Sequence, residues 1–137
     1  MKKEKLDKIS QYWIDHSNYD FETAKAMLKA RRYLYVSFMC QQSVEKLLKA
    51  VITFHMKMPP PRIHDLSKLS VVGGIDNDLN VEQKDFLAEL TPFCIVTRYT
   101  GYKKKLSELT NRRLAESILK KTEEFVIWLK QKEIYKK

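Results

Sequence analysis

The segment 41-QQSVEKLLKA-50 decides the fold. It lies inside a largely apolar stretch from Tyr33 to Phe54. Val36, Cys40, Val44, Leu47, Val51 and Phe54 recur in steps of three and four, which predicts a helix near 33–57. Phe38, Leu48 and Ile52 fall off that stripe, so this helix is apolar on several sides and should be packed on several sides. Gln42, Glu45, Lys46 and Lys49 cluster roughly opposite the main stripe. The expectation is a central helix carrying one polar seam.

Working outward, Leu6, Ile9, Trp13, Ala24, Met27 and Leu28 mark an amphipathic helix over roughly 5–31. His16, Ser17 and Asp20 interrupt its stripe, and polar groups on a core-facing stripe need partners. On the other side, 58-MPPPRIHDL-66 stops the central helix, since proline removes a donor and blocks continuation. Asp65 is placed to cap a short helix through Leu66 and Leu69 that ends at Gly73-Gly74. Asn80 followed by Gln83 resembles a capping box for a third long helix through Phe86, Leu87, Leu90, Phe93 and Cys94, kinked at Pro92. The stretch 98-RYTGYKKK-105 reads as a loop. A last helix should start within 107–112 and carry Leu114, Ile118, Thr122, Phe125 and Leu129 inward. No strand pattern competes. The fold class is all-α: an up-and-down bundle of four long helices plus a short helix, in one domain over 1–137.

Composition narrows the function classes. The chain has 137 residues, 44% hydrophobic and 31% charged, which suits a folded domain rather than a disordered one. No apolar run reaches the ~18 residues of a membrane span. The lysine-rich start lacks the apolar core of a secretion signal. Cys40 and Cys94 fall among core-patterned positions and read as reduced thiols of a cytoplasmic protein. The formal charge is +9, and residues 103–137 hold eleven Lys/Arg against five Glu. Such a surface favours polyanions or an acidic partner, or is simply a solvated lysine face. There is no P-loop, no GxGxxG, no HExxH and no Cys-x-x-Cys pair. His55 and His64 flank the prolines without a clear third ligand, so no metal and no cofactor are expected.

The segments 12-YWIDHSNYDFETAKAML-28, 35-YVSFMCQQSVEKLLKAVI-52, 63-IHDLSKL-69 and 98-RYTGY-102, in this order and spacing, resemble the HEPN domain (higher eukaryotes and prokaryotes nucleotide-binding). The resemblance covers roughly 10–130. It makes Gln42, Glu45, Lys46 and Lys49 the hallmark of the second helix, Asp20 the acidic position of the first, and His64-Asp65-Leu66 the turn after the prolines. It implies a helical bundle, often a homodimer. It also implies either a small chain paired with a minimal nucleotidyltransferase in a toxin–antitoxin-like system, or a metal-independent ribonuclease with an Arg, four to six residues, then His. Here Arg98 sits in the matching region, but Lys103, Lys104 and Lys105 follow it and no His does. Lysine has too high an ordinary pKa to replace that His at neutral pH. "RYTGY" resembles instead the "RYP" signature of the branch without the motif, with Thr100 in place of proline.

The polar seam therefore has three open readings. It is an internal network, with Glu45 pairing a lysine and Gln42 bridging to Asp20 or His16. It is a cleft in which Lys46, Lys49, Arg98 and Tyr99 hold a nucleotide or RNA phosphate. Or it is the edge of a dimer or partner interface. The functional expectation is a nucleotide- or RNA-binding component with a nucleotidyltransferase partner. The alternatives are an endoribonuclease toxin, with Arg98 served by His16, His55 or His64, and a non-catalytic interaction protein.

Overall fold

The computed structural model describes residues 2–95 and 100–132. Among these, every regular element is helical. The α-helices are α1 (Lys3–Lys29), α2 (Tyr33–Met56), α3 (Leu66–Val72), α4 (Val81–Leu90), α5 (Thr100–Leu109) and α6 (Arg112–Gln131). Short 3-10 turns occupy Asp76–Asp78 and Thr91–Ile95. The all-α bundle expected from the periodicities is present. No described helix is long and apolar enough to cross a membrane.

α2 is the axis. Val36, Cys40, Val44, Leu47, Leu48, Val51 and Ile52 are all buried, and α1, α3, α4, α5 and α6 each pack against it. That is why its apolar residues spread around the cylinder. α1 lies antiparallel to it across the largest interface of the fold. Serines on this interface bond backbone rather than water. Ser10 Oγ donates to the Ala50 carbonyl at 3.0 Å, Ser17 Oγ to that of Ser43 at 2.7 Å, and Ser43 Oγ to that of Ser17 at 2.9 Å. The buried hydroxyls of Ser10, Ser17 and Ser43 are thereby satisfied, as burial demands.

Helix ends follow local chemistry. α2 stops before the prolines, with Lys57 left-handed at φ 57°, and Pro59 then disfavours any helical restart at Met58. Asp65 accepts from the Lys68 amide at 3.1 Å and starts α3. Gly74, at φ 74°, turns the chain away after α3. Asn80 and Gln83 form the reciprocal capping box of α4, at 2.7 and 2.9 Å.

Two expectations change. The third long helix does not run through Pro92. α4 ends at Leu90 and the chain enters the Thr91–Ile95 turn. Thr91 Oγ1 donates to the Leu87 carbonyl at 2.7 Å and accepts from the Leu66 amide at 3.1 Å, which ties the break to α3. The stretch read as a loop is helical from Thr100 onward. Leu106 packs on the core and Lys103 bonds to α2, so tertiary contacts override the signal of a lone Gly101.

Candidate functional site

The residues expected to share one seam divide into two ladders on α2. Gln41, Glu45 and Lys49 stand four apart and are all buried. Glu45 is their centre. Its carboxylate accepts from Gln41 Nε2 at 3.0 Å and from Lys49 Nζ at 3.0 Å. His64 Nδ1 faces both oxygens, at 3.1 and 3.2 Å, which places the ring proton on that nitrogen. Gln41 Nε2 also donates to the His64 carbonyl at 3.2 Å. Glu45 and Gln41 thus fix the loop after the prolines onto α2. Lys49 gains a second partner from α1, with Nζ 5.5 Å from the centre of the Trp13 ring.

The other ladder is Gln42 and Lys46. Lys46 Nζ donates to Asp20 Oδ2 on α1 at 2.5 Å. Asp20 is buried, whereas about a fifth of the Lys46 side chain, 21%, reaches solvent. Gln42 does not bridge to Asp20 or His16. It donates to Gln41 Oε1 at 2.7 Å and joins the two ladders. His16 is exposed and lies against Tyr12, with ring centres 4.2 Å apart. Asp65 serves as the α3 cap and makes no bond to Glu45. Arg98 and Tyr99 lie outside the described residues.

Buried charges persist only when paired and hydrogen-bonded. Both conditions hold here: each ammonium has a carboxylate, and Glu45 has three donors. Sequence reasoning missed Gln41, which is fully buried and holds both the network and the loop. Its spacing of four and eight to Glu45 and Lys49 is the signal that was available. It also missed Trp13 as the partner of Lys49.

No other described cluster offers obvious chemistry. No group of three or more His, Cys, Asp or Glu among the described residues stands where it could share a metal ion. Burial pushes the Cys40 thiol up to about 12, against a smaller downward pull from the Thr122 hydroxyl, so it is a poor nucleophile.

A family model described as "HEPN domain" matches residues 10–133, nearly the whole chain and every helix described above. The chain belongs to the HEPN domain family. No curated protein and no solved structure matches it. Membership supports a nucleotide- or RNA-related role in general terms. Within this HEPN chain, the family-like segment on α2 supplies both ladders, and the His64-Asp65-Leu66 turn closes one of them.

Proposed function

We propose that this HEPN chain is a nucleotide- or RNA-binding component of a two-component, toxin–antitoxin-like system, acting with a nucleotidyltransferase partner and as a homodimer. The observation that carries the binding half is the pairing of the seam. Lys46 and Lys49 are held by Asp20 and Glu45, so the large positive excess, +9, is carried mainly by exposed side chains. Exposed cations recruit phosphate by attraction and counterion release without surrendering a buried partner. In this reading the seam keys the bundle. Of its cations, Lys46 alone keeps enough exposure to meet a phosphate directly, and it would exchange Asp20 to do so. The partner half rests on the family resemblance. A face suited to a homodimer lies on α1, which exposes Tyr12 and Tyr19 and contributes Phe21 to a groove of about 260 Å³ lined also by Val126 and Ile127.

The test combines two measurements on the purified chain. Labelled nucleotides and single-stranded RNA are titrated by fluorescence anisotropy at low salt, and the chain is co-expressed with a nucleotidyltransferase encoded beside it. Saturable binding and co-elution support the proposal. Absence of both overturns it, and metal-independent RNA cleavage by the chain alone replaces it with the ribonuclease reading.

A further inference from the structure

Away from the seam, one end of the bundle gathers cations around tyrosines. α1 turns into α2 through Arg31 and Arg32, both exposed, with Arg31 left-handed at φ 62°. α6 runs parallel to α2 and brings its first residues to the same end. Cys40 lies beside Thr122, and Arg112 lies within electrostatic reach of Tyr33. The Arg112 guanidinium bonds Glu116 Oε1 at 2.7 Å, a solvent-exposed pair that exchanges readily with other anions. α5 adds Lys103, whose Nζ donates to Tyr35 Oη at 2.8 Å and lies 5.3 Å from the centre of that ring. The first turn of α2 contains no acidic residue and has no side-chain cap, so its free amides leave the local potential positive.

Negative charge collects elsewhere. Glu82, Asp85, Glu89 and Glu124 line the groove between α4 and α6. The chain thus carries a basic, tyrosine-bearing end and a separate groove of four carboxylates that also holds Lys121.

We infer that the basic end is a docking surface for single-stranded RNA, with phosphates on Arg31, Arg32, Lys103 and Arg112 and a base on the ring of Tyr35. The inference rests on the RNA-binding reading above and gives it a location. With Nζ 2.8 Å from Oη and 5.3 Å from the ring centre, the Lys103 ammonium stands off the hydroxyl edge of the half-buried Tyr35, close to the ring plane, and does not cover its outer face. An incoming base takes the outer face of Tyr35 while the Lys103 ammonium moves to the neighbouring phosphate, so neither group is left unpaired. Only an unpaired strand offers both a free base face and a flexible run of phosphates. A duplex hides its base faces, and an acidic protein segment uses the cations but not the ring.

The test uses the full chain and a fluorescein-labelled single-stranded RNA 12-mer, read by anisotropy from ~50 to ~200 mM salt. The double variant R32E/K103E is expected to weaken binding at least about tenfold and to flatten the salt slope by ~1.4, about 0.7 for each phosphate no longer neutralised. Tyr35→Leu is expected to weaken binding several-fold with the slope unchanged, because stacking releases no counterions. Tyr35→Phe keeps ring and packing and should bind as the parent does. The double variant K5E/K8E, near the start of α1, should change affinity less than about twofold, although its charge change matches that of R32E/K103E. Far-UV circular dichroism checks each fold, and R32E/K103E alters only exposed side chains should Tyr35→Leu fail to fold. If the parent binds RNA and R32E/K103E binds equally well, the location is wrong while the RNA reading stands. If K5E/K8E weakens binding as much, charge alone acts and the surface is not a site. Equal binding of a DNA 12-mer overturns the assignment to RNA, and a parent that binds no RNA at low salt overturns location and reading together.

Discussion

Replacing Glu45 by Gln isolates the charge at the centre of the seam without changing its volume. The carboxylate offers two oxygens to three donors: Oε1 serves Gln41 and His64, and Oε2 serves Lys49 and His64. A glutamine offers one carbonyl. If that carbonyl stays toward Gln41, Lys49 meets an NH2 group. If it turns toward Lys49, the Gln41 amide meets an NH2 group. One donor is orphaned either way, and the ammonium of a side chain only 8% exposed loses its counter-charge. Breaking a buried pair by removing one partner costs ~3–5 kcal/mol. The Trp13 ring at 5.5 Å meets the ammonium in parent and variant alike and cancels, so the loss stays near the lower end, ~3 kcal/mol, only because the amide keeps the side chain's volume. For a domain of this size that lowers Tm by roughly 10 °C. Lys49→Met should cost less, ~1–2 kcal/mol, because Glu45 keeps Gln41 and His64. The double variant should then be more stable than Glu45→Gln alone, since the orphaned ammonium is gone. Urea denaturation followed at 222 nm gives all three values. A Glu45→Gln loss below ~1 kcal/mol, or losses that simply add in the double variant, would refute the reasoning, because coupled residues in contact do not add.

Asp20→Asn should lower stability by ~1–2 kcal/mol, since Lys46 keeps part of its hydration; nucleotide affinity measured alongside should be unchanged, and tighter binding would instead make Lys46 a phosphate ligand. Gly101→Ala should raise Tm slightly, with a gain of ~0.5 kcal/mol, because the added methyl in the first turn of α5 meets nothing within 4 Å and restricts the unfolded chain. Native Cys40 should resist thiol reagents at pH 8 and react once urea unfolds the chain, as peptide mapping by mass spectrometry can show. Its thiol is raised from 9.0 to about 12 in the fold, so its contribution to stability is full below pH 9.0 and lost as pH climbs toward 12. Cys40→Ala should lack that part of the alkaline loss.

Most of the fold was legible because α1, α2 and α6 bury long stripes with helical spacing. The caps at Asp65 and Asn80 were legible for the same local reason: a short polar side chain reaches amides two or three residues ahead. Helix α5 was not, because its stability comes from Leu106 and Lys103 meeting distant residues, which propensity does not record. The seam was half legible. Its charged members announced themselves, but which acid takes which lysine depends on the rotation of α1 against α2. Gln41 escaped notice because glutamine is usually a surface residue, and nothing local distinguishes one that is wholly enclosed. Tyr35 meets Lys103 from 68 positions away, a separation at which pattern reading has no purchase.

The serine bonds between α1 and α2 act as an index as well as a fastening. Ser10 meets Ala50, Ser17 and Ser43 bond each other's carbonyls, and Asp20 meets Lys46. A slide by one turn would undo every one of these at once and leave buried hydroxyls and a buried carboxylate unpaired. Inserting a single residue between Ser10 and Asp20 would turn the keys on one side of it by about 100° relative to the rest. The pair can therefore drift in most of its exposed positions yet cannot change its length there. Any rearrangement on binding must come from the elements packed around this hairpin, while the hairpin itself moves as one piece.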